Sequence, residues 1–306
     1  MSTESSLRAD IVEVGRRMYA RGYTASNDGN ISVRLDAGRL LMTPKSVCKG
    51  FMTPDMMCIT DLEGRLLQGD RDPSSETLMH LEVYRQRPDV NAVVHAHPPT
   101  ATGFAVAGIP LDKAVLAEVL TTLGSVPIAE YATPSTQELP EAVRKYIKAH
   151  DGMLLANHGA LTVGADLFGA YYKMETIEHF AKISLVARTL GRENVLSREE
   201  VTRLQGLRGT YGIAAPAPIC ADPAASGDDA AGSALGPGPL PAPASSGGEN
   251  ATCQVVRAPS GGGQRLVLEL TRGGAPGGAS NGEEGEIRLT YRELSALIEE
   301  AIRSLR

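Results

Sequence analysis

Tryptophan is absent, and aromatic residues make up only 4% of the 306-residue chain. Its core must therefore be filled mainly by aliphatic side chains, and a hydrophobic content of 42% is enough for that. Positive charge is also scarce. The net charge is −6, and no basic run exceeds a few residues, which excludes a nucleic-acid footprint. No apolar run is long enough to cross a membrane, and Met1–Ala9 is polar, so neither a spanning helix nor a signal peptide is expected. The four cysteines, Cys48, Cys58, Cys220 and Cys253, are scattered without a C-x-x-C pair. That excludes a disulfide framework and a cysteine zinc site, and fits a reducing cytoplasm.

Two further absences divide the chain. Lysine does not occur after Lys182, and no aromatic residue lies between Gly212 and Thr290. Residues 214–251 are instead rich in Ala, Pro, Gly and Ser, so little apolar area is available there to offset ordering entropy. The reading is a domain over 1–213, a linker over 214–251 and a tail segment over 252–306. Within the tail, residues 252–289 hold three weak strand-like pieces between glycine clusters. Residues 290–306 open on the capping box Thr290–Glu293, and Leu294, Leu297, Ile298, Ala301, Ile302 and Leu305 form one apolar stripe. That stripe either meets a partner surface or folds back on the chain.

Residues 92–99 organise the first domain. Val93 and Val94 are β-branched and the run ends at Pro98, which reads as a short buried strand reaching a sheet rim. His95 and His97 are two apart, so on a strand they share a face, as metal ligands would.

The remaining elements follow from periodicity and caps. Leu7, Ile11, Val14 and Met18 form the stripe of a first helix capped by Ser5 or Ser6. Strands are expected over 31–35, 39–43, 57–60, 126–129 and 153–156, and a further one closes at Val163. Ser74 or Ser75 should cap a helix to about Gln86 with Glu76 in its first turn, and Ser135–Glu138 reads as a capping box. Asp166 should cap a long helix to about Leu190, and Ser197–Gly209 a shorter one. The apolar stretches 103–108 and 115–123 are ambiguous between helix and strand.

His158, also at a strand end, joins His95, His97 and Glu76 as a candidate first shell for a catalytic divalent metal. Glu76 has an alternative reading as a carboxylate that merely caps its helix. His80, His150 and His179 read as packing or surface residues. Gly29–Asn30, Thr43, Lys45–Ser46 and Ser74–Ser75 are small polar clusters suited to an anion such as phosphate.

Seven segments in order carry a resemblance. They are Gly29–Arg34, Thr43–Ser46, Pro73–Glu76, Ala92–His97, Tyr131–Leu139, Leu154–Gly159 and Thr210–Gly212. Together they resemble the class II aldolase/adducin family, most nearly its L-fuculose-phosphate-cleaving branch, over roughly residues 7–213. The resemblance implies a three-layer α/β/α fold around a mainly antiparallel sheet and a homotetramer with interface active sites. It implies one Zn²⁺ per subunit on Glu76, His95, His97 and His158. Glu76 and Tyr211 become catalytic, and Gly29, Asn30, Thr43, Lys45, Ser46, Ser74 and Ser75 hold substrate phosphate. The implied reaction cleaves a ketose 1-phosphate of the L-fuculose type to dihydroxyacetone phosphate and L-lactaldehyde.

The alternatives within the family are a sugar-phosphate decarboxylase, dehydratase or epimerase, and a non-catalytic adducin-like scaffold. Two departures from the branch pattern, a missing tyrosine near Leu116 or Ala117 and Pro134 in place of phenylalanine, fall where the aldehyde would be oriented. The tail resembles the encapsulation peptides that carry enzymes into bacterial microcompartments, which implies shell proteins as partners of residues 290–306.

Overall fold

The computed structural model describes residues 3–210. The readings for Tyr211, the linker, the 252–289 segment and the 290–306 helix lie outside the described residues. Helix α1 (Glu4–Ala20) buries Ile11, Val14 and Met18 as expected. Its cap is Thr3, whose hydroxyl accepts the Ser6 N–H; Ser5 and Ser6 already lie in the first turn. Strands β1 (Asn30–Arg34), β2 (Arg39–Met42), β3 (Cys58–Asp61) and β4 (Leu66–Gln68) pair antiparallel in sequence. The sequence gives no sign of β4, because all three of its residues are exposed and leave no apolar stripe.

Helix α2 (Thr77–Gln86) leads to β5 (Ala92–Ala96). The two ambiguous apolar stretches are largely helical, as α3 (Pro99–Val106) and α4 (Ala117–Thr122). Then come β6 (Ile128–Ala129), α5 (Glu138–Ile147), β7 (Gly152–Leu155) and β8 (Gly159–Gly164). Helices α6 (Leu167–Thr189) and α7 (Arg198–Leu207) follow. Asp166 caps α6 by accepting the Gly169 N–H at 2.8 Å, as its position predicts. The box expected at Ser135–Glu138 does not form. The N-cap of α5 is Gln137, and Glu138 turns back to accept the Thr133 N–H.

The eight-stranded sheet runs β4-β3-β2-β1-β5-β8-β7-β6, antiparallel throughout except between β6 and β7. Helices cover both faces. Residues of α1, α3, α4 and α6 pack on one side with Ile31, Val33, Val94 and Ala96; α2 and α5 pack on the other with Val93. The three-layer α/β/α architecture with a mainly antiparallel sheet is therefore present. Val93 and Val94 are fully buried on opposite faces, each contributing about 1.5–3 kcal/mol of transfer free energy. That alternation turns His95 of β5, and Asn30, Ser32 and Arg34 of β1, toward the α2 side. The site is built there.

Candidate metal and active site

His95 is fully buried at the end of β5, and its Nδ1–H donates to the Ala160 carbonyl at 2.9 Å. A carbonyl only accepts, so Nδ1 carries the proton and Nε2 presents a lone pair. His97 lies just past the strand, tethered by its backbone N–H to the Tyr23 carbonyl. Its Nδ1 faces the Asp28 carboxylate at 3.3 Å, which likewise leaves Nε2 unprotonated. His158 occupies the short turn between β7 and β8, delivered by Asn157 in a left-handed conformation with φ 56°. Gly159 follows it, and a Cβ there would stand 2.5 Å from the Ala96 carbonyl and 2.6 Å from the His97 ring. Only glycine lets the rings come so near β8. Gly29 has a similar role at the other wall, where a Cβ would meet the His95 carbonyl at 2.8 Å.

The candidate ligand atoms of His95, His97 and His158 all lie within 4.8 Å of one another. The His95 and His97 Nε2 atoms are 3.1 Å apart. Two lone pairs at that distance repel unless a proton or a cation lies between the rings. Burial pushes both imidazoles below their ordinary pKa, His95 well below, so protonation is disfavoured. A cation answers the geometry.

Glu76 completes the set. Its Oε2 is 3.3 Å from His95 Nε2, and its Oε1 is 3.1 Å from His158 Nε2. Oε1 is buried and has no aligned hydrogen-bond donor. Burial alone would raise this carboxyl, but the facing His95 and His158 rings and the Asn30 amide outweigh it and hold it below the usual range. Three imidazoles and one carboxylate suit a divalent ion such as zinc.

The capping alternative for Glu76 fails. Glu76 occupies the N-cap position of α2, yet its side chain makes no cap bond. The helix starts at Thr77, later than expected, because the Ser74 hydroxyl and carbonyl close a turn onto Glu76 and Thr77. That turn aims the carboxylate at the sheet.

Gly29, Asn30, Lys45, Ser46, Ser74 and Ser75 line a cleft together with Glu76, His97 and His158. Thr43 does not join them. It is fully buried, and its hydroxyl accepts the Ile31 N–H, so it serves the sheet. Asn30 reaches the cleft, but its side-chain amide is engaged by Glu76 and His80. Pro134 lines the cleft, whereas Leu116 packs against the core at the start of α4. Lys49 was not anticipated. It is 2% exposed, and its Nζ donates to the carbonyls of Asn27 and Val47. Burial lowers its pKa to about 8, and it lines the same cleft as Gly29 and Lys45. His179 is a surface residue and His150 a buried packing one, as expected.

His80 is fully buried and hydrogen-bonded at both nitrogens, to Ser32 and Asn30. Burial lowers its pKa from 6.5 to about 4. Between those values the unfolded chain binds the proton and the folded one does not. Its contribution is therefore intact above pH 6.5 and lost as pH falls toward 4, on the order of 3 kcal/mol. Urea unfolding of metal-free protein should show this acid-side loss, and His80→Gln should flatten it; an unchanged pH slope in the variant would contradict the assignment. Asp28 orients a candidate ligand without binding metal itself. Asp28→Asn should weaken metal affinity by about 10–100-fold in a competition titration with a chelator, with little effect on melting of the metal-free protein.

An antiparallel sheet between helix layers, with a three-histidine, one-carboxylate donor set opening on a polar cleft, defines an α/β/α protein with a candidate metal centre. More narrowly, the chain belongs to the class II aldolase family: residues 9–185 match the Class II Aldolase and Adducin N-terminal domain. It is 33% identical over 190 residues to a 3-oxo-tetronate 4-phosphate decarboxylase of Pectobacterium atrosepticum, covering 61% of this chain and 87% of the relative. It is also 33% identical over 181 residues to an L-fuculose phosphate aldolase of Methanococcus maripaludis, covering 59% and 97%. A solved L-fuculose 1-phosphate aldolase superposes with a TM-score of 0.63 at 31% identity, covering 67% of this chain and 97% of that one.

Proposed function

We propose that this chain is a metal-dependent lyase that cleaves a carbon–carbon bond beside the carbonyl of a sugar phosphate. Its first substrate class is a ketose 1-phosphate of the L-fuculose type, yielding dihydroxyacetone phosphate and L-lactaldehyde. The observation that carries the reading is the pair of facing Nε2 lone pairs on His95 and His97, with Glu76 and His158 completing the donor set. A divalent cation held by these four residues, zinc by family resemblance, supplies Lewis-acid polarisation of the ketose carbonyl.

The protein's own groups do the rest. Backbone and hydroxyl groups of Gly29, Ser46, Ser74 and Ser75, with Lys45, line the cleft where the phosphate would bind. The Glu76 carboxylate takes the proton of the C4 hydroxyl, the C3–C4 bond breaks as the aldehyde forms, and the bond's electrons pass toward the C2 carbonyl. The protonated Glu76 then returns that proton to C3. Tyr211 is the other residue assigned to catalysis by resemblance.

Decarboxylation of a 3-oxo acid phosphate is the second reading, favoured by the equally similar Pectobacterium relative. It uses the same electron sink and releases carbon dioxide in place of the aldehyde. Zinc-loaded full-length protein should be assayed on a panel of ketose 1-phosphates for dihydroxyacetone phosphate, and on 3-oxo-tetronate 4-phosphate for carbon dioxide. Dihydroxyacetone phosphate released from a ketose 1-phosphate is the expected result. Because decarboxylation of the 3-oxo acid also leaves dihydroxyacetone phosphate, carbon dioxide from that acid with no cleavage of any ketose 1-phosphate would select the second reading, and no product from any substrate would overturn both. The tail is assigned to shell-protein contact in a microcompartment. Unchanged co-localisation after deletion of residues 290–306 would sink that assignment.

A further inference from the structure

Two periodicities meet at one face of the sheet. Asn30, Ser32 and Arg34 are spaced i, i+2, i+4 on β1. Glu76, His80 and Tyr84 are spaced i, i+4, i+8 at the start of and along α2. Two strand residues advance about 6.6 Å and four helical residues about 6 Å, so the side chains stay in step. The contacts follow that order. Asn30 lies between Glu76 and His80, Ser32 between His80 and Tyr84, and the Arg34 guanidinium stacks 4.7 Å over the Tyr84 ring.

The direction of every bond follows from one end. A carboxylate only accepts, so the Asn30 Nδ2–H donates to Glu76 Oε2, at 2.8 Å. Asn30 Oδ1 therefore faces His80 and must accept, at 2.5 Å, which makes His80 Nε2 the protonated nitrogen. A neutral ring then accepts at Nδ1 from the Ser32 hydroxyl, at 2.6 Å. With its proton used there, Ser32 Oγ accepts from the Tyr84 hydroxyl, at 2.9 Å. All four bonds point the same way, and such chains polarise one another.

We infer that the buried chain Tyr84–Ser32–His80–Asn30 is a one-way hydrogen-bond relay that holds Glu76 by Oε2 and leaves Oε1 as the oxygen that faces the reacting substrate. His80 and Asn30 are thereby positioning residues. The relay gives the two oxygens of Glu76 different tasks. Oε2 has a fixed donor in Asn30, while Oε1 has no aligned donor and faces only the candidate metal ligand His158, at 3.1 Å. This inference rests on the reading of Glu76 as the proton-carrying group.

The test has two arms. The first needs no turnover: nitrogen-15 histidine spectra of the full-length protein, metal-free and zinc-loaded, with His80 assigned by its loss in His80→Gln. The expected signature is a neutral His80 ring protonated at Nε2. A ring protonated at Nδ1, or at both nitrogens near neutral pH, overturns the relay. The second arm compares His80→Leu with His80→Gln, whose amide can still donate to Asn30. At saturating zinc, His80→Leu should lose about 10–100-fold in kcat with KM unchanged, and His80→Gln should recover most of it. Wild-type kcat in a folded, metal-loaded His80→Leu, or no recovery in a folded His80→Gln, overturns the inference. Failure of the functional reading would look different, since the wild-type protein would itself release no product.

Discussion

Replacing His97 with alanine is expected to remove most of the bound metal and to lower carbon–carbon cleavage by about 10³-fold or more, the equivalent of several kcal/mol of lost Lewis-acid stabilisation. The fold should survive. The His97 side chain is 26% exposed and lies beyond the last residue of β5, so its loss opens no cavity between the sheet and its helices. Its removal also relieves the lone-pair clash with His95 in the metal-free protein. Metal analysis after dialysis, turnover and a melting curve together check this. Full activity with wild-type metal content would sink the metal assignment, whereas a collapsed melting transition would mean that His97 is structural.

Glu76→Gln should behave differently. The amide is isosteric and uncharged, and His95, His97 and His158 remain to hold the ion. Metal binding should weaken without vanishing, and kcat should fall by about 10²–10⁴-fold, the usual worth of a positioned acid–base group. KM should change little, because the cleft segments around Ser46, Ser74 and Ser75 are untouched. A kcat near wild type would remove Glu76 from proton transfer. A rise in KM alone would make it a substrate-binding residue.

The donor set was legible in the sequence because histidines at strand ends and the Pro73–Glu76 segment are local signals. What each donor touches was less so. Glu76 could be read as a helix cap, and only the Ser74 turn shows why it is free to face the sheet. His80 looked like a packing residue because its role depends on Ser32 and Asn30, about fifty positions earlier. The N-x-S-x-R spacing of β1 and the four-residue spacing from Glu76 to Tyr84 were both present. They carry meaning only once the strand and helix lie side by side.

Thr43 is placed differently from the other phosphate candidates: it is fully buried and its hydroxyl accepts the Ile31 N–H. The fold class came from the family resemblance, and the individual elements from apolar periodicity where a face is buried. That periodicity failed at β4, which buries nothing, and stayed open at α3 and α4, whose short apolar runs fit either period.

The most direct test of the account is a metal titration of the chelator-stripped full-length protein with cleavage followed at each point. The prediction is no turnover in the stripped protein, and recovery that rises linearly and ends at one divalent ion per chain, with His95, His97, His158 and Glu76 required for that stoichiometry. Undiminished cleavage by protein shown to hold no metal would contradict it. Stoichiometric binding without cleavage of any sugar phosphate would leave a metal-holding scaffold and remove the lyase.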